Sequence, residues 1–551
     1  PPEMLEMVAD HSDDQLKDLR RGGHDMRKVY AAYRKAVEHQ GRPTVILAQT
    51  VKGFSLGEGF EGKNVTHQMK KLSEDQLRDF RDRLDLPIRD GQLHDPPYFH
   101  PGAHSPEVQY IKESRTRLGG PWPSRRTDTL VKLEVPGREL YEEFHEGTKT
   151  PGGVSTTMAF ARLLTKLLKD ESIGRRVVPI IPDEARTFGM EPLFRQVGIY
   201  AAHGQLYEPV DRDQLLYYRE TKDGQVLEEG ITEAGSMASF TAAGTAYATH
   251  GQPMIPFYIF YSMFGFQRTG DQIWAFGDAR GRGFLMGATA GRTTLNGEGL
   301  QHQDGHSHLL ATTVPNVMAY DPAFAYEIAM IVDAGLHRMI EEGQDVFYYV
   351  TLHNENYQQP LLASEELREG VLKGLYPYRR ADERADLHVT LFGSGSILKG
   401  ALEAQEILAA EFGVSADVWS ATSYQQLRRE ALQCDRWNRL HPTQEEPCIS
   451  YLERCLEEID GPVVAVSDQL KMVPDQIMPW VDRTFVPLGT DGFGMSDTRE
   501  ALRRHFEIDA PTIVVATLDA LREDGRLDAD TVAQAIEKLG LDPEKLDPLS
   551  L

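Results

Sequence analysis

The densest group of residues that could do chemistry lies in the glycine-rich segment 291–308. It combines three histidines with two acids: His302, His306, His308, Glu298 and Asp304. Such residues could hold zinc, but the spacing His302-x3-His306-x-His308 lacks a separate set of helical ligands at zinc spacing. A glycine-rich loop favours acid–base catalysis and substrate binding over a structural metal.

Glu233 opens a helical stretch made of small residues, including Ala234, Gly235 and Ala238. Small side chains let a backbone or a ligand approach a helix closely. A glutamate at the start of such a helix could therefore reach a ring nitrogen of a bound ligand. The alternative is an ordinary first-turn glutamate, which the helix dipole favours in any protein.

Two adjacent acids, Asp183 and Glu184, follow an apolar run at 177–181 that is typical of a strand. Ligands of open α/β sheets bind beyond the carboxyl ends of strands. The two acids could therefore form an active-site pair, although a helix cap in a solvated turn would use the same residue types.

Aromatic side chains are concentrated between Tyr258 and Gln267. Buried strand packing is their ordinary explanation. The sharper hypothesis is a flat heteroaromatic ligand that stacks on Phe264. Elsewhere, His67 lies in a glycine-rich loop at 53–71, where it is either a surface histidine or part of a lid that orders over a substrate.

Helix and strand patterns alternate along the chain, which predicts an α/β fold with mostly parallel sheets. Helices are predicted at 26–38 with Asp25 as N-cap, from Ser155, from Glu233 and at 323–341. The predicted strands are 44–50, 177–181, 254–260, 284–288, 316–320, 346–351, 387–392, 416–419, 463–467, 485–488 and 512–516. These elements suggest four regions: 1–60, a lid loop and linker at 61–125, and α/β domains at 126–355 and 375–551.

Composition narrows the class of protein. The 551 residues carry 59 Lys and Arg against 84 Asp and Glu, a formal net charge of −25, which argues against a nucleic-acid backbone as the main partner. No apolar run approaches the ~18 residues of a membrane span. The cysteines Cys434, Cys448 and Cys455 form no CxxC pair, so we expect no disulfide framework and a reducing cytoplasm.

Four ungapped segments, 182–190, 255–268, 291–302 and 488–494, closely resemble the homodimeric pyruvate dehydrogenase decarboxylating component. The resemblance extends from Gly22 to the last predicted helix. It implies a transketolase-like α/β architecture of three domains that uses thiamine diphosphate and Mg²⁺. By this resemblance, 1–60 is the end of the diphosphate-binding domain, 126–355 binds the aminopyrimidine, and 375–551 is the C-terminal transketolase-type domain.

The family's metal motif is the main departure from the pattern. A Gly-Asp-Gly followed roughly 25–30 residues later by Asn supplies oxygen ligands to Mg²⁺, and we find no such sequence. The segment 489–492 carries an extra residue, and 277–279 has the wrong third residue. We therefore expect no metal ligand in this chain, and we expect the ligands to lie in an N-terminal segment that precedes it.

The resemblance also implies roles for residues near the cofactor. Glu233 would hydrogen-bond the far ring nitrogen of the aminopyrimidine, so that its 4-amino group can act as a base. Phe264 would stack on that ring, and Ile231 would support the V-shaped conformation of the cofactor. Lys52 would lie at the mouth of the cofactor site, and Asp183 would belong to the cofactor network.

Further residues are placed on the substrate side by the resemblance. His67 matches the loop histidine that is linked to acetyl transfer, and His302 is the third predicted catalytic residue beside His67 and Glu233. The remaining substrate-side residues are Tyr261, Glu298, Glu184 and Asp211.

The function implied is decarboxylation of pyruvate with reductive acetylation of the lipoyl group of dihydrolipoyl acetyltransferase, by a cytoplasmic homodimer. An acidic surface suits docking to basic patches on such a partner. One alternative is a non-catalytic dimerising fragment. Another is a related enzyme for a different 2-oxo acid or a sugar phosphate, although the single arginine in 291–308 favours a small oxo acid.

Overall fold

The computed structural model describes residues 2–17, 22–120, 129, 131–182, 185–210, 212, 218–295, 299–457 and 459–550. The chain divides into two compact units, one ending at residue 122 and the other beginning at residue 123. Within the described residues, no helix is long and apolar enough to cross a membrane.

The first unit is helical in its described part. Its helices are α1 Pro2–Val8, α2 Asp13–Lys17, α3 Met26–Glu38, α4 Glu74–Arg83 and α5 Pro106–Arg117. The predicted helix 26–38 and its cap are confirmed. The Asp25 carboxylate accepts hydrogen bonds from the backbone N–H groups of Arg27 at 3.0 Å and Lys28 at 3.2 Å, two of the donors that a helix start leaves unpaired.

The predicted strand at 44–50 is wrong. The segment is extended, but no described segment of this unit forms a ladder with it. Val45 and Leu47 are 82% and 92% exposed. β-branched residues favour a strand only where a neighbouring strand and a buried face are present, and both are lacking among the described residues of this unit.

The second unit begins with a parallel six-stranded sheet in the order β4-β1-β5-β6-β8-β7, with a separate two-stranded ribbon β2-β3. The strands are β1 Val177–Ile181, β2 Ile199–Tyr200, β3 Glu220–Thr221, β4 Leu227–Glu228, β5 Ile255–Tyr261, β6 Phe284–Ala288, β7 Val317–Tyr320 and β8 Phe347–Thr351. The helices of this part are α6 Glu142–His145, α7 Thr156–Leu167, α8 Glu191–Gln196, α9 Glu233–Gly244, α10 Ala246–His250, α11 Ser262–Asp278, α12 Ser307–Thr312, α13 Ala325–Leu336 and α14 Leu367–Lys373.

Strand β5 explains most of the aromatic segment. It lies inside the sheet between β1 and β6, and Phe257, Tyr258 and Phe260 have no exposed surface. Interior parallel strands are covered on both faces, so near-continuous apolar runs are expected there. Packing therefore accounts for these three rings, whereas Phe264 lies beyond the strand on α11 and is half-buried.

The second sheet has five strands in the order β13-β12-β10-β11-β9, of which β9 is antiparallel to β11 and the others are parallel. Its strands are β9 Tyr376–Arg379, β10 His388–Gly393, β11 Ser415–Ser420, β12 Val463–Val466 and β13 Phe485–Leu488. The helices are α15 Leu398–Ile407, α16 Tyr424–Leu440, α17 Tyr451–Glu457, α18 Met472–Asp475, α19 Arg499–His505, α20 Ala510–Glu523 and α21 Ala529–Lys538.

The predicted strand at 512–516 is wrong, because these residues belong to α20. The Asp509 side chain caps the helix by accepting from the Thr512 N–H at 3.1 Å, and a proline in the first turn fits a helix start. The β-branched run imitates a strand, but the buried residues recur at helical spacing. These are Ile513, Val514, Thr517, Leu518 and Leu521.

One disulfide is present, which the sequence analysis did not predict when it expected no disulfide framework. Cys434 on α16 and Cys448 form a disulfide with a Cα–Cα distance of 5.1 Å, while Cys455 is free and buried. Asn438 brings the two cysteines together. Its side-chain amide donates to the Cys448 carbonyl at 2.9 Å and accepts from the Cys448 N–H at 2.7 Å, which holds the returning segment against the helix.

A buried polar network joins the two sheets beyond the carboxyl end of β7. The Asp321 carboxylate accepts from the Thr351 hydroxyl at 2.6 Å and lies 2.8 Å from Nε2 of His353. Burial works against the Asp321 charge, but His353 outweighs it and lowers the pKa of Asp321 to about 2. Burial likewise opposes the His353 charge, and Asp321 nevertheless raises the pKa of that imidazole.

Asp321→Asn is expected to make the free energy of unfolding depend less on pH in the acid range. The folded-state pKa lies below the ~3.9 of an unfolded aspartate. The ionised carboxylate therefore stabilises the folded state fully above pH 4, and this stabilisation is lost as the pH falls towards 2. The loss lowers the free energy of unfolding by about 2 kcal/mol. Urea unfolding between pH 2 and 5 measures this slope. The exposed Asp482→Asn is the control, and parallel curves for wild type and Asp321→Asn would contradict the prediction.

Candidate active site

Glu233 is the first residue of α9 and is only 8% exposed. The Thr232 side chain caps the helix by accepting from the Gly235 N–H at 3.2 Å. The Tyr258 hydroxyl, on the neighbouring strand β5, donates to the Glu233 carbonyl at 3.3 Å. The sheet and the cap together fix the backbone from which this carboxylate projects.

Arg268 links Glu233 to the aromatic segment. Its Nη1 donates to Oε1 of Glu233 at 2.7 Å, and its guanidinium carbon lies 3.9 Å from the centre of the Phe264 ring. Phe264 and Arg268 are one turn apart on α11, so they share a helix face. The carboxylate and the ring thus border one patch, where a flat hydrogen-bond donor can engage both.

Three rings form what we call the aromatic cluster: Tyr261, Phe264 and His302. The ring centres are separated by 4.6 Å for Tyr261–His302, 5.1 Å for Phe264–His302 and 5.9 Å for Tyr261–Phe264. All three are half-buried. Tyr261 ends β5 and Phe264 lies in the first turn of α11, which places the cluster at the carboxyl edge of the first sheet.

Ile231, two residues before Glu233, is 72% exposed. Asp183, Glu184, Asp211 and Glu298 lie outside the described residues. The structure therefore brings together Glu233, Phe264, Tyr261 and His302 of the predicted set.

Among the described polar residues of 291–308, Asp304, His306 and His308 do not join the cluster. Asp304 is fully buried and accepts from the backbone N–H groups of His306 at 3.0 Å and Ser307 at 3.1 Å, so it fixes the turn that leads into α12. His306 contacts Gln267, and His308 is buried with its Nε2 3.1 Å from the Thr351 hydroxyl. Across the described ranges, no three His, Cys, Asp or Glu side chains are grouped to hold a metal ion.

Asp468 anchors the start of this polar loop. It follows β12 in the second sheet, is fully buried, and accepts from the backbone and hydroxyl of Thr293 at 2.9 and 2.8 Å. It also accepts from the backbone and hydroxyl of Thr294 at 3.0 and 2.5 Å. Gly291 has φ +89°, and a Cβ there would lie 2.2 Å from Oδ2 of Asp468, so only glycine allows this approach.

In the first unit, Lys52 and His67 are paired. Nζ of Lys52 lies 2.8 Å from Nδ1 of His67, which sits in a short 3₁₀ turn at Asn64–His67. The loop between them is ordered by local contacts. His24 stacks on Phe54 with ring centres 4.0 Å apart and accepts from the Val51 N–H at 2.6 Å.

The pair predicts the tautomer of His67. An ammonium group has no acceptor, so Nδ1 must accept and the ring proton must lie on Nε2. Nitrogen-15 chemical shifts of the labelled imidazole should show the Nε2–H form in the neutral ring. Lys52→Met should mix the two tautomers, whereas Lys63→Met, on the same loop, should not. A wild-type ring protonated on Nδ1 would contradict the prediction.

Two family models and several curated proteins match this chain. The model of the pyruvate dehydrogenase E1 component middle domain matches residues 140–360, and that of the transketolase-like C-terminal domain matches 374–509. The pyruvate dehydrogenase E1 component of Pseudomonas aeruginosa is 54% identical over 549 residues, covering all of this chain and 62% of that protein. Over its whole length, the chain is similar to pyruvate dehydrogenase E1 components at about 50% identity.

Other E1 components show a similar degree of sequence identity to this chain. Those of Mycobacterium tuberculosis and Escherichia coli are 52% and 49% identical, covering 98% and 99% of this chain and 58% and 61% of their own lengths. The chain thus spans about three fifths of the curated relatives that it matches. Transketolase from Campylobacter jejuni has a TM-score of 0.59 at 15% identity, over 90% of this chain and 66% of its own, which confirms the transketolase-like α/β fold.

Two residues of this site were not identified from the sequence. Arg268 closes one of the segments that resemble the family, and its spacing of four from Phe264 was the available signal. Asp468 gave no such signal, because its partner Thr294 lies 174 residues away in the chain.

Proposed function

We propose that the protein containing this chain decarboxylates pyruvate and reductively acetylates a lipoyl group, as the E1 component of a pyruvate dehydrogenase complex. Similarity to E1 components supports the reaction class. The position of Glu233, Phe264 and His302 at the carboxyl edge of the first sheet supports the location of the site.

One observation carries the proposal, namely the pair of contacts that Arg268 makes. Its guanidinium donates to the Glu233 carboxylate and lies over the Phe264 ring. A planar nitrogen heterocycle needs the same two contacts: a carboxylate for its ring nitrogen and an aromatic face for stacking. Arg268 is 48% exposed, so its side chain has room to move when a ligand enters.

The residues therefore fit thiamine diphosphate, which supplies an electron sink for decarboxylation when bound. Glu233 would accept a hydrogen bond from the aminopyrimidine ring and share a proton with it. Phe264 would orient that ring, and Ile231, Lys52 and Asp183 would complete the contacts. We propose that 126–355 binds the aminopyrimidine, that 1–60 ends the diphosphate-binding domain, that 61–125 forms the lid loop and linker, and that 375–551 is the C-terminal domain.

On the substrate side we propose His302 and Tyr261, together with Glu298, Glu184 and Asp211. The Tyr261 and His302 rings make a half-buried polar wall that suits a small 2-oxo acid. His67, whose Nδ1 faces Lys52, would serve acetyl transfer in the first unit. Proposed partners are a second copy of the chain and a dihydrolipoyl acetyltransferase with its lipoyl domain; the proposed metal is Mg²⁺, and the proposed location is the cytoplasm.

The test uses the natively expressed enzyme with thiamine diphosphate and Mg²⁺. Circular dichroism bands of the bound cofactor should appear, and ¹⁴CO₂ should be released from labelled pyruvate when a lipoyl domain is the acceptor. A parallel series with 2-oxobutyrate and a sugar phosphate tests the substrate class. Faster turnover of either one than of pyruvate would contradict the substrate, and absence of cofactor bands would contradict the whole proposal.

A further inference from the structure

A small internal cavity lies where the two sheets meet. Its volume is about 10 Å³, and it is lined by residues that follow strands of both sheets: Asp321 after β7, Ser394 after β10 and Thr422 after β11. His308 and Tyr424, on α12 and α16, also belong to its polar wall, as do Ser423, Gln425 and Gln476. The cavity is thus shared by the two α/β parts of the second unit.

Three polar atoms on this wall are buried without a protein partner among the described residues. They are Oδ2 of Asp321, Oγ of Ser394 and the hydroxyl of Tyr424. The residues are only 6%, 1% and 4% exposed. A buried polar atom without a partner is costly, so three that converge on one cavity indicate a ligand that hydrogen-bonds all of them.

The charges of the wall favour a neutral ligand. Asp321 is ionised, and its other oxygen already faces His353, whose raised pKa favours the imidazolium. Burial, with Asp321 nearby, raises the pKa of Tyr424, so its hydroxyl stays neutral and can donate. An additional cation would leave a net positive charge buried there, which is strongly unfavourable.

We propose that this cavity binds one structural water molecule, which donates to Asp321 and accepts from Ser394 and Tyr424. One water needs about 10–15 Å³ and typically makes about three hydrogen bonds, which matches both the volume and the partners. The water bridges the first sheet to the second. It also lies next to His308, at the helix that ends the polar loop of the active site.

The sign of a mutational effect tests the proposal. Tyr424→Phe and Ser394→Ala each remove a hydroxyl that would bond the water, so each should lower the melting temperature by roughly 1–3 °C. A dry cavity gives the opposite result, because removing an unpaired buried hydroxyl leaves the melting temperature unchanged or raises it. That outcome for both variants would overturn the proposal.

Thr390→Val is the matched control. Thr390 lies on β10 near Ser394, is fully buried, and its hydroxyl also has no partner among the described residues, but it does not line the cavity. Its loss should not lower the melting temperature. The double variant Tyr424→Phe/Ser394→Ala should lose less than the two single losses combined, since both hydroxyls share one water.

A crystal structure supplies a readout that does not depend on stability. Density for one atom should lie within hydrogen-bonding distance of Asp321, Ser394 and Tyr424. Crystals grown in rubidium chloride should give no anomalous signal at that position. A rubidium peak would identify a monovalent cation and overturn the water, as would a cavity without density in a well-ordered map.

Discussion

Glu233→Gln is expected to lower the rate of pyruvate decarboxylation by about 10²–10⁴-fold, the usual size of a lost acid–base contribution. The amide keeps the volume of the side chain but cannot share a proton with a ring nitrogen or carry the negative charge. The carboxylate it replaces is buried at the start of α9 and is held 2.7 Å from Arg268. Rates of ¹⁴CO₂ release in the natively expressed enzyme measure the effect.

Stability should change little in this variant. The side chains of Arg268 and Glu233 are 48% and 10% exposed, so water can replace the carboxylate around the guanidinium, and such pairs contribute about 1 kcal/mol at most. A large loss of rate at an unchanged melting temperature would thus locate the effect in the chemistry.

Glu143→Gln is the matched control. Glu143 lies in the first turn of α6 and accepts from Arg162 on another helix at 2.8 and 3.0 Å, but it is not near the aromatic cluster. It should retain the wild-type rate. Near-normal decarboxylation by Glu233→Gln would remove this residue from the proposed mechanism.

The sequence predicts interior strands best. The predicted bounds 177–181 and 284–288 are those of β1 and β6, because a short apolar run between turns is typical of a buried parallel strand. The same signal fails at 44–50 and 512–516. Those segments have the right residue types, but the first lacks a described neighbouring strand and the second is capped as a helix by Asp509.

The candidate site shows the same limit. The position of Glu233 at a helix start and the ring of Phe264 just beyond a strand follow from local pattern. The contact that joins them, between Glu233 and Arg268, does not follow from local pattern, because the two residues are 35 positions apart in the chain. The sequence also did not decide the role of Asp304. An acid that fixes the turn before α12 and an acid that binds a substrate are the same residue type.

Asp468→Ala is expected to destabilise the second unit by at least about 3 kcal/mol, the scale seen when one member of a buried charged network is removed. Four donors from Thr293 and Thr294 would lose their acceptor in a fully buried place. Burial raises the pKa of Asp468, and those donors hold the carboxylate in place. Urea unfolding at neutral pH measures the loss.

Asp519→Asn, on the surface of α20, is the control, and its stability should remain within about 0.5 kcal/mol of wild type. If the urea concentration at the unfolding midpoint of Asp468→Ala equals that of the control, other contacts must hold the 291–308 loop in place. Asp468→Asn keeps one acceptor oxygen but turns an amide towards the hydroxyl or N–H groups of Thr293 or Thr294. Its free energy of unfolding should therefore lie between those of Asp468→Ala and the control. The second sheet therefore contributes to the loop that carries His302, because its buried acid fixes the start of that loop at Thr293 and Thr294.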